Sequence, residues 1–171
     1  MKATSCVAAL LLTTLSAHAA EVVHYPLMGG NKFPIARAVE VPAGTTLFFH
    51  SGTTPSPKDP KAAVGTPAYW GDTKTQALSA FGNIKASLDT LNLTFGDVVS
   101  MTVYLVADPA SKDGRMDFAG FMEAYTQFFG TTEQPNLPSR STVQVAGLAS
   151  PGMLVEIEVT LAKRVPKVKK K

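Results

Sequence analysis

Apolar positions along the chain change period several times, and each change predicts an element. Ala77, Phe81, Ile84, Leu88 and Leu91 recur at three- and four-residue steps behind the cap candidates Asp72 and Thr73, and Thr73 with Gln76 fits a capping box. This predicts an amphipathic helix over roughly Thr73 to Leu91. A second helical stripe runs through Phe118, Phe121, Met122, Tyr125, Phe128 and Phe129, with Asp117 as cap and Gly130 at its C-terminal end. An aromatic stripe at this spacing reads as core rather than as a cofactor site.

Strand periods surround these helices. Val22 to Leu27 is a short β-branched run closed by the turn cluster Met28-Gly29-Gly30-Asn31. Ala36 to Val41 predicts a second strand, and Pro42-Ala43-Gly44 turns the chain into a third, Thr45 to Gly52, at a spacing that suits a hairpin or meander. Asp97 to Val106 is apolar enough to lie in the centre of a sheet. The predicted order is β-β-β-α-β-α-β-β, an α+β mixed sheet with two helices on one face.

The last two predicted strands hold the unusual residues. Ser139 to Ala146 alternates, with Val143 and Val145 opposite Arg140, Thr142 and Gln144; Leu154 to Val159 sets Val155, Ile157 and Val159 opposite Leu154, Glu156 and Glu158. A hairpin of the two would put Arg140, Thr142 and Glu156 on one polar face. Such a face is either solvated, with Arg140 paired to a glutamate for ~0–1 kcal/mol, or a site where the guanidinium fork meets a ligand carboxylate. Alternation alone does not choose between them.

Composition adds an address and a loop. Lys2, the apolar run Val7 to Leu12 and the small-x-small sequence Ala17-His18-Ala19 read as a secretory signal peptide cut after Ala19, with a retained membrane anchor as the alternative. The remaining domain, residues 20–163, is long enough to bury a core. The single cysteine, Cys6, falls in the leader, which leaves the mature chain without a thiol and fits a periplasmic or secreted protein without disulfides. Residues 53–71 carry Pro55, Pro57, Pro60 and Pro67 and form a Pro-rich insertion loop, whose Tyr69 and Trp70 are expected to pack on the core or over a neighbour's pocket.

Charge is unevenly spread. Residues 20–162 hold nine Lys or Arg against thirteen Asp or Glu, whereas the basic end from Lys163 to Lys171 holds six positive charges and sets the high pI. The tail over residues 164–171 reads as a disordered, solvated end with a capacity for anionic surfaces. No nucleic-acid partner is expected of an acidic body that lacks a basic, aromatic-bearing strand. His24 and His50 stand in different strands without further ligands at metal spacing, so no metal is expected, and no phosphate-cradling loop or Gly-x-Ser-x-Gly turn calls for a cofactor or a nucleophilic serine.

Four runs together carry a family resemblance: Leu91 to Leu105, Ala124 to Phe129, Pro138 to Val145 with its Pro-x-Arg-Ser element, and Val155 to Glu158. They resemble the Rid (YjgF) family of enamine/imine deaminases over roughly Phe33 to Lys163. The resemblance implies a chorismate-mutase-like (YjgF-like) fold and a homotrimer closed around a barrel of three sheets, with a ligand site in each cleft between subunits. It also implies hydrolysis of small reactive imino acids to 2-keto acids and ammonia, or retention of a small carboxylate without turnover.

Position by position, the resemblance makes Arg140 the residue that binds the substrate carboxylate and Glu156 the one that orients the hydrolytic water. Ser51 and Gly52 match a Ser-Gly end of an early strand that lines the pocket. Thr142 stands where cysteine is frequent, Ile35 where a pocket tyrosine is common and Met122 where asparagine is common. These three replacements imply a more apolar pocket and a different or larger substrate.

Overall fold

The computed structural model describes residues 21–164. The leader read at 1–19 and the tail beyond Arg164 lie outside the described residues. Six strands and three helices follow in the order β1 (Val23–Tyr25), β2 (Ala38–Glu40), β3 (Thr46–Thr53), α1 (Pro67–Trp70), α2 (Thr73–Thr90), β4 (Val98–Val106), α3 (Phe118–Tyr125), β5 (Ser139–Val145) and β6 (Val155–Lys163). Apart from the one-turn helix α1, this is the predicted order, and the class is α+β with a mixed sheet.

Both long helices start where their caps place them. Asp72 Oδ1 accepts the amide hydrogen of Thr75 at 2.8 Å and Asp117 Oδ1 that of Gly120 at 2.8 Å, each satisfying a backbone donor that has no helical partner. The capping side chain of α2 is therefore Asp72; Thr73 lies buried in the first turn, and Gln76 turns inward instead of completing a box. The α2 stripe Ala77, Phe81, Ile84 and Leu88 is buried. Phe81 lies 4.8–6.3 Å, ring to ring, from Phe95, Phe121, Tyr125, Phe128 and Phe129. The predicted aromatic stripe is thus largely core, although α3 ends at Tyr125 and the remaining rings follow through a turn to Gly130, where φ is +74°.

The main sheet has the order β3-β6-β4-β5, with β4 and β5 parallel and the other pairs antiparallel. β4 is central, as its apolar run predicted. Two expected pairings are not formed. β5 and β6 make no hairpin, because β4 lies between them; α3 supplies the crossover that a parallel β4–β5 pair requires. β2 pairs with β1 in a separate two-stranded ribbon instead of with β3, which joins β6. Within one chain the sheet is open and no barrel closes.

One face of the sheet carries the helices. Met101, Val103 and Leu105 of β4 and Val155, Ile157, Val159 and Leu161 of β6 point into that layer and are buried. The other face has no covering layer among the described residues; Leu47 and Phe49, which is 80% exposed, look out from it beside Tyr104, Val143, Glu156 and Glu158.

The Pro-rich segment 53–71 packs against the helix layer and the β5–β6 turn. Trp70 is buried and donates from Nε1 to the carbonyl of Pro151 at 2.8 Å, while Asn83 of α2 donates to the carbonyl of Thr54 at 3.1 Å. The buried amide of Gln76 locks the junction. It donates to the carbonyls of Gly71 and Gly152, at 3.0 and 3.1 Å, and accepts from the Leu154 amide at 2.7 Å. Trp70 therefore packs on its own chain's turn.

Candidate functional site

Arg140 carries a guanidinium that is largely enclosed by the chain. β5 pairs Met101 with Arg140 and Val103 with Thr142, so the polar side of the β5 alternation faces the helix layer, and Val143 of the other side is 43% exposed on the uncovered face. Of the two readings of the polar side, the solvated face does not hold for Arg140. β5 is an edge strand, and the α3 rings that overlie its inward side accept a guanidinium where a central strand would need apolar side chains.

Four rings surround that guanidinium. Their centroids lie 4.2 Å (Tyr125), 5.2 Å (Phe121), 5.5 Å (Phe33) and 6.0 Å (Phe118) from Cζ. Each such cation–ring contact is worth about 0.5–1 kcal/mol, more where water is excluded. Rings supply no lone pairs in the plane of the fork, however. Nη2 reaches only the thioether of Met122, at 3.2 Å, and Nη1 is buried without a hydrogen-bond partner among the described residues. Burial pulls the guanidinium below its ordinary pKa, opposed by Tyr125; the Tyr125 phenol is pushed up to about 12, chiefly by burial. Tyr125 also donates to the carbonyl of Pro34 at 2.8 Å, which fastens the segment carrying Phe33 and Ile35 over this nest.

The predicted site residues separate into two groups. Met122 and Thr142 accompany Arg140, and the Thr142 hydroxyl oxygen is likewise buried without a partner. Ile35 shares with the Arg140 strand a cleft of about 360 Å³, but its other walls, Ser100, Thr102 and Ser141, occupy the strand positions that alternate with Met101 and Arg140, so this cleft lies on the side of β4 and β5 away from the guanidinium. The second group is Ser51, Gly52 and Glu156. Glu156 crosses from β6 to lie directly against Gly52, so closely that a Cβ there would stand 2.9 Å from Glu156 Cδ. Its neighbour Glu158 accepts the Tyr104 hydroxyl at 2.9 Å, an arrangement that raises the tyrosine's pKa.

Arg140 and Glu156 do not share a face. Glu156 pairs with Tyr104 and Arg140 with Met101, positions of opposite parity on β4. Two strand spacings of about 4.8 Å and three residues at about 3.4 Å separate their backbones, and their side chains leave opposite sides of the sheet. The single polar face expected from a β5–β6 hairpin is therefore not formed.

Several contributors were not read from the sequence as parts of the site. Phe33 and Phe118 wall the guanidinium, and Gln76 fixes the start of β6 two residues before Glu156. Phe118 belonged to a stripe read as core, and Phe33 sits just after a turn cluster. Only their meeting at Arg140 shows a further role.

The α+β mixed sheet of this order, with its helices on one face, is a YjgF-like fold. The family described as Endoribonuclease L-PSP matches residues 30–163. A RutC family protein of Pyrococcus horikoshii is 35% identical over 125 residues, which cover 73% of this chain and 83% of that protein. The chain belongs to this family.

Other relatives carry names that refer to chemistry. The 2-iminobutanoate/2-iminopropanoate deaminase of Salmonella typhimurium is 35% identical over 108 residues, 63% of this chain and 74% of that enzyme. TdcF of Escherichia coli is 38% identical over 77 residues, a match that spans 45% of this chain and 54% of TdcF. The crystal structure of TdcF with bound serine superposes with a TM-score of 0.53 at 30% identity, covering 78% of this chain and 91% of that one.

Proposed function

We propose that the protein is an imine deaminase, converting an imino acid and water to a 2-keto acid and ammonia. The observation that carries this reading is the Arg140 guanidinium, walled by rings and left with an unpartnered donor that a carboxylate would satisfy. Arg140 grips the substrate carboxylate. Glu156, held against Gly52, accepts a hydrogen bond from the water that adds to the imine carbon; collapse of the resulting carbinolamine, with a proton delivered to nitrogen, releases ammonia. The deaminase among the relatives supports this chemistry.

Because Arg140 and Glu156 leave opposite faces of one sheet, the reading requires two protomers at each site, one giving the arginine group and the other the Ser51–Gly52–Glu156 group. A homotrimer, its uncovered sheet faces turned inward, is the proposed assembly. Export is part of the same proposal: the leader read at residues 1–19 would send the protein to the periplasm or beyond, where it meets imines such as those from amino-acid oxidation. N-terminal sequencing of the exported protein should begin at Ala20, and sedimentation should give three chains.

The test of the chemistry is direct. Imines generated by an amino-acid oxidase should yield keto acid faster when the protein is present, and Arg140→Ala should remove the gain. Equal rates with and without wild-type protein defeat the reading. The alternative, a carboxylate-binding protein without turnover, predicts Arg140-dependent calorimetric binding of keto acids and no acceleration.

A further inference from the structure

Access to Arg140 is one-sided. Of the groups around its guanidinium, Phe121 and Tyr125 are fully buried, whereas Phe33 is 38% exposed and Phe118 and Met122 are partly exposed. A molecule that reaches the guanidinium must therefore pass between Phe33, Phe118 and Met122. Phe33 and Phe118 face each other with ring centroids 6.3 Å apart and planes 17° from parallel. The backbone around Phe33 is held by local hydrogen bonds, its amide donating to Asn31 Oδ1 at 2.8 Å and its carbonyl accepting from Ile35 at 2.8 Å. The entrance thus has an apolar wall whose backbone is held in place while its rings are free to turn.

Resting on the imine deaminase reading, we propose that the preferred substrates are 2-imino acids with an aromatic or large aliphatic side chain, and that Phe33 is the residue that selects them. When the carboxylate lies on Arg140, the carbon next to it bears its substituent among Phe33, Phe118 and Met122. A methyl substituent leaves most of this surface wet, and parting the two rings to admit it goes uncompensated. A phenyl or isobutyl group fills the opening, and its planar or branched surface removes both rings from water. The three side chains at the entrance offer a substituent no hydrogen bond beyond the Met122 thioether; the unpartnered Thr142 hydroxyl lies buried with Arg140, so it faces the carboxylate end rather than the substituent.

The experiment compares pyruvate with phenylpyruvate as product ligands, titrated calorimetrically into the full-length protein, and follows turnover of imines made by an oxidase from alanine and from phenylalanine. Burying a phenyl group predicts phenylpyruvate affinity about tenfold or more above pyruvate, with kcat/KM for the two imines in the same order. Phe33→Ala should bring both ratios close to one; because the ring is more than one-third exposed, the variant folds, and thermal melting checks this. Equal affinities, or tighter pyruvate binding, with Arg140→Ala abolishing both, overturn the selectivity while leaving the deaminase reading intact. If neither keto acid binds in an Arg140-dependent way, both fall together.

Discussion

Gly52 and Glu156 occupy one small space: a Cβ at residue 52 would stand 2.9 Å from Glu156 Cδ and closer still to Oε1. The obstruction is the far end of a flexible side chain, so the backbone need not move. Gly52→Ala is expected to displace the carboxylate while leaving the fold intact. Imine turnover should fall about tenfold to hundredfold, with keto-acid binding through Arg140 nearly unchanged. Kinetics alongside calorimetry separates the two effects, and unaltered turnover would remove Glu156 from the proposed chemistry.

Arg140 is expected to separate stability from function. Replacing it with methionine forfeits four cation–ring contacts, about 2–4 kcal/mol together, but removes a buried, unpartnered donor that costs about 1–3 kcal/mol and leaves thioether–ring contacts in exchange. Denaturant unfolding of Arg140→Met should therefore lie within about 1 kcal/mol of wild type, while keto-acid binding disappears. Arg140→Lys keeps the charge and loses the fork, so affinity should drop without vanishing.

Gln76 makes the opposite prediction. Its side chain satisfies two carbonyls and the Leu154 amide inside the protein, so Gln76→Ala leaves buried polar groups unpaired at three places. The expected loss is about 2–4 kcal/mol in urea unfolding. Since Leu154 precedes Val155 and Glu156, turnover should weaken in whatever fraction of the variant remains folded.

At the other end of the same junction, Gly152 has φ +78°, and a Cβ would lie 2.6 Å from the carbonyl oxygen of Gly65 and 2.7 Å from Trp70 Cδ1. Both the left-handed backbone and the close approach of the Pro-rich segment require glycine. Gly152→Ala should destabilise by about 2 kcal/mol or more and expose Trp70, seen as a red shift in its fluorescence.

Tyr125 predicts an alkaline limb. Its folded pKa is raised, to about 12 from an ordinary 10, so its contribution to stability is complete below pH 10 and is lost as pH rises through 12. About 1.4 kcal/mol per unit is at stake. The Arg140 shift is downward and works in the opposite sense, so the difference between wild type and Tyr125→Phe carries the prediction: urea unfolding between pH 9 and 12 should lose more stability in wild type.

The local elements were written in the sequence. Asp72 and Asp117 marked both helix starts, the three- and four-residue steps of apolar side chains marked the faces they bury, and the largely apolar run of β4 marked the sheet's centre, because each of these depends on residues close along the chain. The runs around Arg140 and Glu156 pointed to the family for the same reason. Tertiary structure decided the rest. Alternation in β5 divides the strand into two faces but says nothing of which face a helix will cover. Only the parallel crossover through α3 turned Arg140 inward to four rings, and only the insertion of β4 between β5 and β6 set Glu156 on the far side. Contacts between residues distant in sequence are chosen by packing, which a local pattern does not encode.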